Sequence, residues 1–131
     1  MTEGRRSISI EGFDHGGQPI PAASRVGGLV VSGGIYGLDP ATGTLPDPVA
    51  DQVKLMFWQA GRILEAAGAS FDDVARMTFY VKDNRARDHV NEHWLRHFPD
   101  PASRPARHTL SYDGLPANML VQCDLIAMVA D

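Results

Sequence analysis

The chain has 131 residues, 44% hydrophobic and 21% charged, which suits one domain with a real core over 1–131. The formal net charge is −4 and the basic residues are scattered, so the composition argues against a nucleic-acid partner. A lone cysteine, Cys123, excludes an internal disulfide framework, and the absence of a signal-peptide pattern or a membrane-length apolar run leads to the expectation of a cytoplasmic protein with no membrane partner.

Ser7 to Ile10 alternates polar and apolar residues and reads as a short strand. Gly12 to Pro21 holds Gly16, Gly17 and Pro19 and reads as loop. Ser24 to Val26 and Leu29 to Ser32 form a strand pair around Gly27-Gly28, a good hairpin signal. Asp39-Pro40-Ala41-Thr42-Gly43 is a turn cluster.

The strongest helix spans about Pro48 to Ala67. Val49, Val53, Met56, Phe57, Ala60, Ile63, Leu64 and Ala67 form one apolar stripe. Pro48 suits the first turn, Asp47 is a cap candidate, and Gly68 suits the end. Ala75 to Lys82 alternates as a strand, with Met77, Phe79 and Val81 on one face. A second helix spans Arg85 to Phe98, with Ala86, His89, Val90, Trp94, Leu95 and Phe98 as its stripe, and Pro99 and Pro101 stop it. Two strands close the chain, Ala106 to Tyr112 and Met119 to Val129, joined through Asp113-Gly114-Leu115-Pro116. The order β-β-β-α-β-α-β-β implies an α+β domain with both helices on one sheet face. Alternation does not say whether water, a ligand or another subunit covers the other face.

The last quarter carries the chemistry. Arg107 opens one strand, and its planar fork of donors fits a carboxylate with two parallel hydrogen bonds. The returning strand sets Gln122 and Asp124 on one face and Cys123 on the other. Gln122 can orient water through its amide but cannot take up a proton as a carboxylate does. It reads equally as a water-positioning or substrate-amide-binding residue and as a polar residue bonded only to its neighbours. Asp124 could supply the carboxylate that Gln122 lacks but reads rather as structural, and Cys123 as a packed core residue without a base to activate it.

His89, His93 and His97 repeat every four residues on one helix side. Such spacing can hold zinc, but no Cys or Glu pattern completes a site, so an interface or half-buried face is the better reading and no metal is expected. His108 alternates away from Arg107. His15, in the glycine-rich loop, is a candidate for reaching a cleft mouth. Trp58 and Trp94 read as packing residues. Gly33-Gly34 allows close approach of a ligand, without any phosphate-binding pattern around it.

An ordered set of motifs carries a resemblance. Val26-Gly27-Gly28-Leu29-Val30-Val31-Ser32-Gly33-Gly34-Ile35 is followed by Asp39-Pro40 with Thr42-Gly43, Gln52, and Leu64 with Ala66-Ala67-Gly68-Ala69. Asp73-Val74, Val90-Asn91, Arg104-Pro105-Ala106-Arg107, Leu115-Pro116 and Ile126-Ala127 complete it. From about Pro19 onward the chain resembles the reactive intermediate deaminase family, also called the RidA or YjgF family. The resemblance implies a chorismate-mutase-like α+β fold, a mixed sheet with two helices on one face, and a homotrimer whose sheets form a central barrel with clefts between subunits. It implies hydrolysis of small carboxylated imines or enamines to keto acids with release of ammonia, using no metal and no organic cofactor.

Position by position, the resemblance makes Arg107 the arginine that holds the substrate carboxylate and Thr109 the residue whose backbone N–H assists it. Ser32 and Gly33 match the cleft floor, where the glycine carbonyl lies near the substrate, and Asn91 matches the helix asparagine near the cleft. Two positions depart from the pattern. The family's glutamate, fifteen residues after the arginine, is here Gln122. The family's Gly-Pro-Tyr-Ser is here Gln18-Pro19-Ile20-Pro21, so Ile20 stands where the tyrosine lines the cleft. The expected function is therefore a hydrolytic deaminase altered at its water step. The alternative is a trimeric binding protein for small carboxylates or keto acids. Endoribonuclease activity, known for some relatives, fits poorly with the acidic charge.

Overall fold

In a computed structural model that describes residues 4–130, six strands form one mixed sheet with two helices. In chain order these are β1 (Arg6–Ile8), β2 (Ala23–Val26), β3 (Leu29–Ser32), α1 (Val49–Ala66), β4 (Val74–Val81), α2 (Ala86–His97), β5 (Ala106–Ser111) and β6 (Val121–Met128). The sheet order is β1-β2-β3-β6-β4-β5. All neighbours pair antiparallel except β4 and β5, which run parallel with α2 as their crossover. Among the described residues no helix is long and apolar enough to cross a membrane.

The alternating strand pattern produces two unlike faces. Val30, Met77, Phe79, Val81, Val121, Cys123 and Leu125 are buried and meet the α1 stripe of Val53, Met56, Phe57, Ala60, Ile63 and Leu64. Burial of a large apolar side chain contributes about 1.5–3 kcal/mol, so this seam holds helices and sheet together. The opposite face carries Leu29, Val31, Ile126 and Met128, all exposed, and neither helix packs on it.

α1 is tied down by polar as well as apolar contacts. Buried Gln52 donates from Nε2 to the carbonyls of Pro46 and Asn118, each at 2.8 Å, and accepts from the Leu120 N–H at 2.9 Å. The loop between β5 and β6 is thereby fixed against the start of the helix. Gly68 ends the helix in the left-handed region at φ 79°, where its N–H reaches the Glu65 carbonyl at 3.0 Å.

The structure corrects four local expectations. β1 starts at Arg6 and ends at Ile8, because its pairing with β2 stops at Ile8 opposite Ala23. Pro48 itself is the N-cap of α1, and Asp47 turns away to accept from Asn118 Nδ2 at 3.3 Å. Trp58 does not pack inside. It is half exposed, and the Arg62 guanidinium lies 4.8 Å over its ring. Leu95 is also exposed, on the outer side of α2. Cys123 and Trp94 are buried as expected, and burial pushes the Cys123 thiol far up, so it stays protonated.

Candidate functional site

β5 is the last strand of the sheet, so one of its two edges is free. Tyr112, just past it, donates its N–H to the Val81 carbonyl on β4 at 2.9 Å. Backbone groups alternate along a strand, so the N–H groups of Thr109 and Arg107 point the other way, to the free edge. The register sets Arg107 beside Met77 and Thr109 beside Phe79, on the helix face. There the Arg107 guanidinium carbon sits 5.2 Å from the Phe79 ring centre and 5.1 Å from that of Trp94. Cation–π contact and the two flat rings hold the fork in place. Nε donates to Thr109 Oγ1 at 2.8 Å, and among the described residues no carboxylate pairs with Arg107. Burial first, then the charge of Arg87, lowers its pKa, yet a guanidinium remains charged at neutral pH. The arrangement is a half-buried cation whose Nε is engaged and whose terminal nitrogens have no partner among the described residues, beside outward backbone donors.

Asn91 is exposed on α2, one turn from Trp94, and so borders this edge. Arg87 shares that helix side, four residues earlier. Its Nη2 donates to the Thr109 carbonyl at 3.3 Å. Arg104, the neighbouring arginine, is engaged elsewhere, its Nε donating to the Phe98 carbonyl at 2.9 Å at the end of α2.

Gln122 lies away from this edge. It pairs with Tyr80 across β4 and β6, on the face opposite Met77, Phe79 and Cys123. It lines a cavity of about 510 Å³ with Asp14, His15, Tyr36, Asn118 and Met119. A Cβ on Gly34 would stand 2.7 Å from the Gln122 amide carbon and nitrogen, so a side chain at that position would displace the amide. His15 Nε2 is 2.7 Å from the Gly34 carbonyl. A carbonyl only accepts, so Nε2 carries the proton, and in the neutral ring Nδ1 is an acceptor. Nδ1 is buried without a protein partner among the described residues.

Ser32 is buried, donates to the Gly33 carbonyl at 2.8 Å and accepts from the Leu125 N–H at 2.9 Å. Gly33 is exposed, with His15 Cε1 and Nε2 3.8 Å from where its Cβ would stand. Ile20 is 54% exposed in its loop and does not border the cavity. The tyrosine ring in the cavity comes instead from Tyr36, whose hydroxyl donates to the Asp14 carbonyl. Burial first, and then the Asp14 charge, raises its pKa, which keeps the phenol neutral. Asp124 accepts from Tyr80 at 3.1 Å, a structural role.

The candidate residues thus fall into two groups. Arg107, Thr109 and Asn91 gather at the β5 edge; Ser32, Gly33 and Gln122 gather around Gly34 and His15. Tyr36, Asn118 and Arg87 do not stand out in the sequence. Only Arg87 leaves a trace there, four residues before Asn91. His108 is exposed on the face opposite Arg107. His93 and His97 stack on Phe57, and His97 on Phe71 at 4.1 Å between ring centres, so both pack against the α1 side. Among the described residues no group of three or more His, Cys, Asp or Glu is placed to hold a metal ion.

Comparison with known proteins adds four likenesses. Residues 19–129 match the family model described as Endoribonuclease L-PSP. A RutC family protein of Aquifex aeolicus is 31% identical over 110 residues, 84% of this chain and 88% of that protein. A mouse protein named 2-iminobutanoate/2-iminopropanoate deaminase is 32% identical over 111 residues, 84% of this chain and 81% of that one. The crystal structure of Escherichia coli TdcF with bound serine superposes with a TM-score of 0.84 at 25% identity, covering 95% of this chain and 99% of that one.

Proposed function

Because the chain belongs to the reactive intermediate deaminase family, RidA/YjgF, we propose that it hydrolyses the carbon–nitrogen bond of small carboxylated imines or enamines. The observation that carries this reading is the Arg107 fork: half-buried, held between Phe79 and Trp94, and unpaired by any carboxylate among the described residues. That geometry suits a bidentate carboxylate. The mouse relative's name specifies 2-imino acids, and the TdcF relative binds serine, itself a small carboxylate.

In this reading the substrate carboxylate lies on Arg107 with the outward Thr109 N–H. The Gly33 carbonyl faces the imine nitrogen, and Asn91 borders the entrance. Water adds to the imine carbon while the nitrogen gains a proton. The resulting carbinolamine loses ammonia, and its carbon becomes the keto carbonyl. Gln122 orients the water through its amide. We assign that water's proton to His15 Nδ1, a buried acceptor in the cavity that Gln122 lines, which then passes it to the substrate nitrogen. An imine is already electrophilic, so placement supplies much of the acceleration.

Arg107 and Gln122 face opposite sides of one subunit's sheet, so we propose that each site is completed between copies. A homotrimer closing the exposed apolar face of Val26, Leu29, Val31, Ile126 and Met128 would provide this. Ile20, exposed in its loop, would then meet the ligand from a neighbour. No metal or organic cofactor enters the scheme. Ribonuclease activity, which the family model's description names, is not carried over, since the net charge is −4. The amide at Gln122 favours one second reading, a trimeric binding protein for keto acids. Imines generated in situ by an amino-acid oxidase separate the two: accelerated release of keto acid supports the hydrolase, and ligand binding without acceleration supports the binding protein.

A further inference from the structure

Arg107 has a second cation beside it. Arg87, in the first turn of α2, donates from Nη2 to the Thr109 carbonyl at 3.3 Å, while Arg107 Nε donates to Thr109 Oγ1 at 2.8 Å. Two guanidiniums therefore converge on one residue of the sheet's free edge. Among the described residues the Arg87 side chain otherwise makes only a long 3.4 Å bond from Nε to Asn84 Oδ1. The arginine–carboxylate pairs among the described residues are Arg85 with Asp83 and Arg96 with Glu92, and neither includes Arg87 or Arg107. Guanidiniums placed together repel unless anions lie between them. This protein has more acidic than basic residues, 16 against 12, yet among the described residues none of them pairs with Arg87 or Arg107. The two cations also stand at different depths. Arg107 lies over the Phe79 and Trp94 rings, whereas Arg87 reaches in from the helix end towards the Thr109 carbonyl.

We propose that Arg87 is a specificity residue, and that the site takes 2-imino acids with a second acidic group at the far end of the side chain. Arg107 holds the carboxylate next to the reacting carbon, and Arg87 holds the distal one. This rests on the hydrolase reading for the placement of the first carboxylate. The simpler alternative is that Arg87 only ties α2 to β5, or that both arginines share a single carboxylate.

Titration calorimetry with two keto acids, 2-oxobutanoate and 2-oxoglutarate, distinguishes these. The wild-type protein is expected to bind the dianion about 10- to 100-fold more tightly, the gain of one further charged hydrogen-bonding contact. Arg87→Gln is expected to bring the ratio of the two affinities close to one. A tether, or a shared single carboxylate, would change both affinities together and leave the ratio as it was, which overturns the proposal. Equal affinities in the wild type overturn it without any variant. If the imine of 2-aminobutanoate is hydrolysed while no preference for the dianion appears, this inference fails alone. If neither keto acid binds and no imine is hydrolysed, the hydrolase reading fails with it.

Discussion

Arg107 and Gln122 sit on the two strands that flank β4, yet they face opposite sides of the sheet. Arg107 is level with Met77 and Gln122 with Tyr80. Their backbones are therefore offset by roughly 10 Å along β4 and about 10 Å across two strand spacings. A small imino acid cannot touch both within one copy, so the proposed site needs them from different subunits.

Mixing variants tests that sharing. Arg107→Ala and His15→Ala are each expected to be inactive as pure assemblies. Co-refolded in equal amounts, they should recover about one quarter of wild-type activity, the fraction of boundaries at which both intact halves meet. No recovery, with mixed assemblies verified by native mass spectrometry, would mean that each site is built within one chain. Light scattering at micromolar concentration should give three times the chain mass.

Arg107→Lys tests the fork rather than the charge. An ammonium cannot make two parallel bonds to a carboxylate and does not lie against the Phe79 and Trp94 rings as a planar group does. We expect keto-acid affinity to fall by about tenfold or more, with Arg107→Ala falling further. Calorimetry measures both, and equal affinity for Lys and Arg would show that only a positive charge is needed.

Gln122→Glu adds a second proton acceptor to the cavity that already holds His15 Nδ1. General-base assistance is typically about 10²–10⁴-fold, so turnover at saturating substrate should rise visibly. The new anion also opposes a substrate carboxylate, so KM should rise as well. Initial rates over a range of imine concentrations separate the two effects. A fall in kcat would show that the amide's donor N–H is the needed group.

The α2 histidines give a pH signature. Burial first, and then neighbouring charge, depresses His93 and His97 below the usual histidine range. A depressed imidazole pKa means that the folded state prefers the neutral ring. The stabilisation is complete above the unfolded histidine value, about 6.5, and is lost as pH falls from there through the lower folded values. Tm should therefore drop between pH 7 and pH 5. His97→Phe, which keeps a ring against Phe71, should reduce that drop. An unchanged slope in the variant would assign the acid sensitivity to other groups.

Alternation and the helical stripe are enough to place every strand and both helices, because burial on one face enforces period 2 on strands and 3.6 on helices. Element ends are harder. β1 stops where pairing with β2 stops, and Pro48 takes the cap position because Asp47 finds Asn118. Trp58 and Leu95 look like core residues by type, but each lies on the outward side of its helix. Arg107, Gln122 and His15 stand out from motif and residue chemistry. That Arg107 and Gln122 face apart depends on strand order, which puts β4 between them and which no local pattern encodes. Arg87 is hidden for the same reason, since only the β4-α2-β5 crossover brings it to Thr109.

Imine trapping decides whether Arg107 binds a carboxylated imine for hydrolysis. The imine of 2-aminobutanoate is generated continuously by an amino-acid oxidase, and the surviving imine is trapped with semicarbazide as wild-type protein or Arg107→Ala is added. Wild-type protein is expected to deplete the trapped imine at catalytic concentrations, and Arg107→Ala to lose at least about 10²-fold of this activity. Equal depletion by the two proteins, with both folded by circular dichroism, would contradict a carboxylate-holding role for Arg107 and the hydrolase reading built on it.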